Sequence, residues 1–170
     1  MYTVHLSLGT NLDDKLNNLL KAYRNTVARA GRVTGGSSVY ETEPWGFDTD
    51  KRFYNLNLMI RTGLSPEGLL SVLHDIEQEM GRKRGERPYV SRVIDIDVLF
   101  YEQYIIETED ITIPHPRIKD RRFVLEPLNE IDPAFIHPVY RLSVRELLRK
   151  CPDASGVVPM ITFDEFLKLI

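Results

Sequence analysis

The order of two hydrophobic periods along the first hundred residues constrains the fold of this chain more than any other feature. Apolar residues alternate with polar ones, as in half-buried strands, over 2–8, 33–43, 53–62 and 91–100. Apolar residues recur at helical spacing over 13–30, between the first and second strands, and over 65–80, between the third and fourth. The order β-α-β-β-α-β is that of a ferredoxin-like split βαβ unit. We therefore predict an α+β sandwich, with a mostly antiparallel sheet and helices packed on it.

The ends of both helices carry local signals. Asp13 and Asp14 favour the start of the first helix, and Ser65 followed by Pro66 is a typical N-cap and first helical position. Beyond residue 101, five prolines before position 140 predict ordered loops, followed by a short helix near 143–150 and an amphipathic element at 162–170. We predict one domain over 1–150 and a C-terminal extension, 151–170, packed on it.

The last predicted strand, residues 91–100, carries two carboxylates on one face. Asp95 and Asp97 point the same way because side chains alternate along a strand, whereas an apolar face is formed by Ile94, Ile96, Val98 and Phe100. Neighbouring like charges repel unless a cation lies between them, and Mg²⁺ prefers such oxygen ligands beside substrate phosphates. The alternative is an edge strand with a solvated acidic face. The apolar face and the following Leu99-Phe100-Tyr101 favour an interior strand and a metal site.

Two basic segments lie on either side of this strand. The first contains Arg82, Lys83, Arg84, Arg87 and Arg92. Guanidinium groups bind phosphate oxygens in a bidentate manner, although a basic run is often only a solvated surface. The second segment, 114–123, includes His115, which either donates to a phosphate or is a structural histidine.

Aromatic and amide side chains suggest a binding site for a flat heterocycle. Phe53 and Phe123 are either core residues or rings on which such a ligand stacks. Asn55 is predicted to share a strand face with Phe53, so its amide is placed to recognise a polar ring edge.

Composition excludes several classes of protein. The net charge of −3 argues against a dedicated nucleic-acid binder, and the single cysteine, Cys151, allows no intrachain disulfide. The N-terminus does not resemble a signal peptide, and no segment has the roughly 20 apolar residues of a membrane span. Neither a Walker-type phosphate loop nor zinc-ligand spacing is present in the sequence. We expect a cytoplasmic monomer that contacts neither membrane nor nucleic acid.

Several ordered motifs over about the first 130 residues resemble those of the 6-hydroxymethyl-7,8-dihydropterin pyrophosphokinases of folate biosynthesis. They are Ser7–Leu12, Tyr40–Gly46, Phe53–Asn55, Gly81–Arg84, Arg92–Asp97, Ile113–His115 and Arg121–Leu125. The resemblance implies a ferredoxin-like fold and transfer of pyrophosphate from ATP to the hydroxymethyl group of the dihydropterin, with release of AMP.

The resemblance also implies roles for individual residues. Asp95 and Asp97 match the ligands of two Mg²⁺ ions, and Arg82 and Arg92 match arginines that hold the phosphates. The implied ATP-binding residues are Leu70, Glu77, Arg84, Arg87, Thr112, His115 and Arg121. The implied pterin-binding residues are Thr42, Pro44, Trp45, Phe53, Asn55 and Phe123. The sequence departs from the family pattern where Pro116 replaces a common aromatic and Asp110 replaces an arginine that can contact the nucleotide.

Two other functions are compatible with the same fold. An RNA-binding module would present exposed aromatic residues on its central strands, whereas acidic side chains stand at Asp95 and Asp97. A metal-dependent phosphohydrolase would use the same carboxylates but would release its product without a dihydropterin. ATP and the dihydropterin are therefore the expected partners, with Mg²⁺ as the expected cofactor.

Overall fold

The computed structural model describes residues 1–46, 49–81 and 91–170. The strands among these residues are β1 (Tyr2–Thr10), β2 (Arg32–Gly36), β3 (Val39–Thr42), β4 (Phe53–Thr62), β5 (Asp95–Tyr101), β6 (Ile106–Glu107), β7 (Thr112–Ile113) and β8 (Val157–Ile161). The α-helices are α1 (Lys15–Arg29), α2 (Pro66–Glu79), α3 (Arg122–Ile131), α4 (Val144–Lys150) and α5 (Phe163–Leu167). A 3₁₀ turn spans Ile118–Asp120.

The strands form one six-stranded antiparallel sheet and one small hairpin. The order across the large sheet is β5-β1-β4-β3-β8, and β2 also pairs with β4. The hairpin consists of β6 and β7. This arrangement confirms the predicted α+β, ferredoxin-like sandwich with a mostly antiparallel sheet.

The two predicted helices begin where their capping residues indicate. The Asp14 carboxylate accepts a hydrogen bond from Asn17 N at 3.1 Å, and the Ser65 hydroxyl accepts one from Gly68 N at 3.1 Å. Each bond satisfies an N–H group that has no partner within its own helix. After α2 the backbone reverses at Gly81, whose φ of 107° is readily adopted only by glycine.

Two hydrophobic clusters cover opposite faces of the sheet. Val4, Leu6 and Leu8 of β1 are fully buried in the larger cluster, together with Leu19 of α1 and Leu73 of α2. The smaller cluster joins the end of β5 to α3 and α4 through Leu99, Phe100, Val124, Leu125, Leu128 and Val144. The second cluster leaves part of the polar sheet face open, and the candidate site lies there.

The strand predicted over 33–43 is divided into β2 and β3, both of which pair with β4. The pairing register shifts between Val33 and Gly35, which is the mark of a β-bulge. Between the two strands, the Ser37 hydroxyl donates to Ser38 O at 2.8 Å and accepts from Asn57 N at 3.0 Å. These local bonds replace regular strand pairing at the break.

The interior position predicted for the acidic strand is wrong, because β5 is the first strand of the sheet order. Its outer edge is satisfied by other groups: Ile96 N donates to a Glu77 carboxylate oxygen at 2.7 Å, and Leu99 O accepts from His115 N at 3.0 Å. The prediction for Phe100 is also wrong. The pairing register shifts between His5 and Leu6, and Phe100 packs in the smaller cluster while Ile96 and Val98 stay in the larger one.

The loops predicted between 101 and 140 are interrupted by α3, even though Pro127 lies inside this helix. An interior proline costs roughly 3 kcal/mol. Burial of Val124, Leu125 and Leu128 in the smaller cluster offsets that cost. The helix predicted near 143–150 is confirmed as α4, with a capping box between Ser143 and Glu146.

The C-terminal segment contains the additional strand β8 ahead of the short helix α5, and Phe166 of α5 is fully buried in the larger cluster. The division into a 1–150 domain and a 151–170 extension stays a prediction. Within the three described ranges, none of the helices combines the length and the apolar character that crossing a bilayer requires.

Candidate active site

A cavity of about 360 Å³ opens on the polar face of the sheet, between β1, β3, β4 and β5 on one side and residues 115–123 on the other. Its walls are made by Ser7, Gly9, Thr42, Glu43, Trp45, Phe53, Asn55, Arg92, Asp95, Asp97, His115, Pro116, Arg117, Arg121 and Phe123.

Strand register places the polar floor of this cavity. In the β1–β5 pair, Ser7 lies opposite Asp97 and Gly9 lies opposite Asp95. In the β1–β4 pair, Gly9 lies opposite Asn55. A Cβ atom added to Gly9 would lie 2.9 Å from Asn55 Oδ1, a distance that real Cβ atoms essentially never show. Gly9 therefore leaves room for the Asn55 amide between the acidic pair and the aromatic residues.

The two carboxylates of β5 face three cationic or proton-donating groups. Arg92 Nη1 lies 2.8 Å from Asp95 Oδ2, and both Arg121 Nη1 and His115 Nε2 lie 3.9 Å from Asp97 Oδ2. The Asp95 and Asp97 side chains are 25% and 38% exposed, so a ligand can reach both. One end of the cavity thus carries alternating negative and positive charge.

The acidic pair fits a hard divalent cation that is completed by a ligand. Among residues 1–46, 49–81 and 91–170 there is no cluster of three or more acidic, histidine or cysteine side chains suited to hold a metal. Mg²⁺ usually binds one or two protein carboxylates and takes its remaining ligands from water and substrate phosphates. Asp95 and Asp97 supply oxygen donors of this type at the required number.

His115 is a neutral hydrogen-bond donor in this cavity. Burial and the nearby Arg121 guanidinium lower its pKa to about 4, although Asp95 acts in the opposite direction. Its Nδ1 accepts a hydrogen bond from Arg117 N at 3.2 Å, which leaves the proton on Nε2, the atom that faces Asp97. The ring therefore presents an N–H group to any anion held beside Asp97.

The opposite end of the cavity is aromatic. The Arg121 guanidinium lies 4.9 Å from the Trp45 ring centre and 5.7 Å from that of Phe123. Arg117 lies 5.8 Å from the Trp45 ring. These cation–π contacts orient the two arginines between the rings and the acidic pair.

Amide groups connect the aromatic end to the sheet. Asn55 Nδ2 donates to the Thr42 hydroxyl at 2.6 Å, and both residues are buried. Two residues further along β4, Asn57 is fully buried and its Nδ2 donates to Val124 O at 2.9 Å, next to Phe123. The first amide lines the cavity and the second lies behind its wall.

The structure brings together most of the residues that the sequence predicts for the site. Ten of them line the cavity: Thr42, Trp45, Phe53, Asn55, Arg92, Asp95, Asp97, His115, Arg121 and Phe123. Pro44 lies between two lining residues without lining the cavity itself. Leu70 and Glu77 of α2 and Thr112 of β7 belong to elements that contact β5 outside the cavity. The predicted residues Arg82, Arg84 and Arg87 lie outside the described residues.

Sequence reasoning did not assign five residues that line the cavity: Ser7, Gly9, Glu43, Pro116 and Arg117. Ser7 and Gly9 occupy the polar positions of a strand whose alternate residues are apolar, so the pattern places them on the right face. Nothing in the sequence gives the pairing register that sets them opposite Asp97 and Asp95.

Comparison with known proteins agrees with this arrangement. The family model described as 7,8-dihydro-6-hydroxymethylpterin-pyrophosphokinase (HPPK) matches residues 5–133. The chain belongs to the HPPK family. Membership confirms the resemblance that its motifs indicate and favours a pyrophosphokinase over an RNA-binding module or a phosphohydrolase.

Two full-length relatives and one solved structure illustrate the likeness to HPPK. The chain is 38% identical over 146 residues to the 2-amino-4-hydroxy-6-hydroxymethyldihydropteridine pyrophosphokinase of Aquifex aeolicus, with 86% of this chain and 90% of that protein covered. It is 43% identical over 159 residues to the protein of the same name from Methylorubrum extorquens, with 92% and 98% covered. A crystal structure of Plasmodium falciparum HPPK-DHPS matches with a TM-score of 0.71 at 18% identity. That match covers 88% of this chain but only 44% of the larger one, and at this identity it shows the fold alone.

Proposed function

We propose that this cavity is where the chain carries out the reaction of its family. The chain is an ATP-dependent diphosphotransferase of folate synthesis, which moves pyrophosphate from ATP to the hydroxymethyl group of hydroxymethyldihydropterin. Its substrates are small molecules, ATP and the pterin. The hydroxymethyl oxygen attacks the β-phosphorus of ATP. The bond between that phosphorus and the oxygen bridging to the α-phosphate breaks, so AMP leaves with the bridging oxygen as the pterin diphosphate forms.

The charged end of the cavity is the proposed triphosphate site. Arg92 and Arg121 provide guanidinium groups for phosphate oxygens, and His115 provides an N–H group beside Asp97. These groups stabilise the charge that develops on the transferring phosphoryl groups and on AMP, because positioning and charge stabilisation dominate phosphoryl-type transfer. Arg82, Arg84 and Arg87 are proposed to add further phosphate contacts, on the resemblance of their motif alone.

Asp95 and Asp97 are the proposed ligands of magnesium, and two ions are proposed. Bound there, Mg²⁺ would neutralise triphosphate charge and make the attacking hydroxyl more acidic. The support from the structure is the pair of partly exposed carboxylates on one strand face, beside Arg92, His115 and Arg121, whose N–H groups are able to donate to phosphate oxygens. The number of ions follows only from the family resemblance.

The aromatic end is the proposed pterin pocket. Phe53 and Phe123 provide rings on which the bicyclic pterin stacks, and the Asn55 amide recognises its polar edge. Thr42 orients this amide through the 2.6 Å hydrogen bond, and the backbone of 42–45 supplies further polar groups. In this orientation the hydroxymethyl group points towards the acidic pair.

The adenosine part of ATP is proposed to lie along the outer edge of β5. Leu70, Glu77 and Thr112, which the resemblance assigns to nucleotide binding, belong to elements that contact this strand. Glu77 also accepts a hydrogen bond from Ile96 N, between the two proposed metal ligands. Its carboxylate therefore holds the acidic pair as well as bordering the nucleotide site.

The observation that carries this proposal is the union, in one cavity, of two same-face carboxylates with a polar amide and aromatic rings. The test is incubation with ATP, Mg²⁺ and 6-hydroxymethyl-7,8-dihydropterin, followed by chromatography for AMP and pterin diphosphate. We expect AMP only when the pterin is present. Release of phosphate or AMP without the pterin would indicate a phosphohydrolase instead.

Replacement of a proposed metal ligand provides the matched control. Asp97→Ala should lower turnover at least 10³-fold, of the order seen when a phosphate-stabilising charge is lost. Asp164→Ala, which removes an exposed carboxylate in the first turn of α5, should leave turnover within twofold of the unmodified enzyme. Equal activity of the two variants would refute the assignment of Asp97.

The assembly state and location are also proposed. The chain is proposed to act as a monomer, because its sequence carries no surplus apolar stripe beyond those of the predicted helices and strands. Sedimentation velocity with and without ATP would detect a dimer if one forms. The lone cysteine suits a reducing compartment, so we place the enzyme in the cytoplasm, which cell fractionation would test.

A further inference from the structure

Helix α3 lacks a capping side chain of its own at its N-terminus. Its N-cap residue, Arg121, makes no side-chain cap hydrogen bond. Instead, Arg122 N donates to Asp153 Oδ2 at 3.0 Å, across 31 positions of sequence. The first N–H groups of a helix need acceptors, and a negative charge is stabilising there. Asp153 thus performs, from the C-terminal segment, the capping that the local sequence does not supply.

The Asp153 carboxylate is itself held in a fixed orientation. Its Oδ1 accepts hydrogen bonds from Ser155 N, at 2.9 Å, and from the Ser155 hydroxyl. Burial raises the pKa of Asp153, but the hydrogen bonds from Ser155 and Arg122 outweigh burial and lower the pKa below its ordinary value. The group therefore stays ionised while each oxygen serves a different partner.

Three residues further along, the same segment contacts the other wall of the cavity. Glu43 N donates to Gly156 O at 3.3 Å, and Gly156 N donates to Glu43 Oε2 at 3.3 Å. Val157 then pairs with Thr42 in the β3–β8 ladder. These contacts fix the end of β3, and Trp45 lies three residues beyond it.

We propose that residues 153–157 form a strap that sets the width of the pterin pocket, with Asp153 as its positioning residue. The strap joins the helix wall, which carries Arg121 and Phe123, to the strand wall, which carries Thr42 and Trp45. A flat ligand stacks well only when the two walls are held at one separation, and holding them before binding lowers the entropic cost. This inference rests on the proposed function, since that function assigns the pterin to this end of the cavity.

The strap should affect binding of the pterin more than binding of ATP. Asp153→Ala removes the acceptor for Arg122 N, so α3 loses this hydrogen bond to the strap. We expect KM for the dihydropterin to rise about tenfold and KM for ATP by no more than about threefold, because Asp95 and Asp97 are fixed by the sheet and Arg121 is the one proposed triphosphate contact that adjoins Arg122. Asp153→Asn keeps one acceptor oxygen and should give an intermediate rise. Asp164→Ala in the same segment is the control and should change neither constant.

Both constants are measured from initial rates of AMP release, with thermal melting of each variant alongside. An equal rise of the two KM values, or a lower melting temperature with the pterin KM unchanged, would overturn the strap. Should Asp153→Ala not fold, the same criterion applies to Asp153→Asn. Failure of the unmodified enzyme to form AMP would instead overturn the proposed function, so the two failures are distinguishable.

Discussion

Two asparagines on one face of β4 offer the sharpest test of how the pocket is built. Asn55 and Asn57 are both buried and lie two positions apart, so they share chemistry, strand and orientation. Asn55 lines the cavity and donates to the Thr42 hydroxyl, whereas Asn57 donates to Val124 O behind the wall. Alanine at the first position should impair substrate binding, and alanine at the second should impair stability.

The expected magnitudes follow from what each change leaves behind. Asn55→Ala removes one hydrogen bond within the protein and the amide proposed to recognise the pterin. At about 1 kcal/mol for each of the two neutral bonds that this amide can make to the ring, kcat/KM for the pterin should fall about 30-fold. Asn57→Ala leaves a buried carbonyl without its side-chain donor and opens a small void. The free energy of unfolding should fall by about 2–3 kcal/mol, with kcat/KM within about threefold.

Urea unfolding and initial rates with varied pterin separate the two effects. Asn55→Ala should lose no more than about 1 kcal/mol of stability, because the Thr42 hydroxyl it abandons faces the cavity and can bond to water. If both variants lost pterin binding equally, or if Asn55→Ala were the less stable protein, the division between a recognition amide and a structural amide would be wrong.

Three further predictions concern the packing around the sheet. Glu130 of α3 accepts hydrogen bonds from Ser38 N at 3.0 Å and from Tyr40 Oη at 2.8 Å. A double-mutant cycle of Tyr40→Phe and Glu130→Gln, measured by urea unfolding, should give a coupling free energy of about 1 kcal/mol. A coupling below about 0.3 kcal/mol would contradict this interaction. Burial, together with Glu130, raises the pKa of Tyr40, so Glu130→Gln should lower it in an ultraviolet titration. Burial lowers the pKa of His137 to about 4. Between pH 6.5 and 4 the unfolded chain binds a proton that folded His137 does not, so stability should decrease by up to about 1.4 kcal/mol per pH unit as the pH falls; a His137 NMR titration midpoint above 6 would refute this.

The regular part of the fold could be predicted because its signals are local. β4 spans Phe53–Thr62, the range that alternation indicates, and α2 begins directly after Ser65. A period of two or 3.6 residues, together with a capping side chain, depends only on neighbouring residues. The split βαβ order then leaves few ways to arrange four strands and two helices.

The elements that the sequence did not predict share a different cause, which is contact with residues far away in the chain. The register shift that moves Phe100 to the smaller cluster exists only because β5 pairs with β1. Helix α3 tolerates Pro127 because the cluster it enters buries its apolar face. The strand β8 is stabilised by β3, more than a hundred residues earlier. None of these partners can be identified from the segment itself.

The candidate site combines both situations. Asp95 and Asp97 could be recognised from alternation alone, and the aromatic and amide residues from the motifs around them. Arg117 and Glu43 could not, because they reach the cavity only through the path of the segments after β7 and β3. The lining residues that only the structure identifies lie chiefly in loops that approach the sheet.

The edge position of β5, which the sequence pattern disfavours, explains how the carboxylates can be both partly buried and accessible. Another strand beside β5 would occupy the backbone groups that Glu77 and His115 now use. His115 could then no longer lie against the strand with its Nε2 facing Asp97. An exposed strand edge can pair with another chain. Here the hydrogen bond from Ile96 N to the Glu77 carboxylate and the one from His115 N to Leu99 O occupy part of that edge. The edge position therefore lets the segment after β7 bond to the strand through His115 N and lie over its acidic face, which completes the proposed site for a polyphosphate.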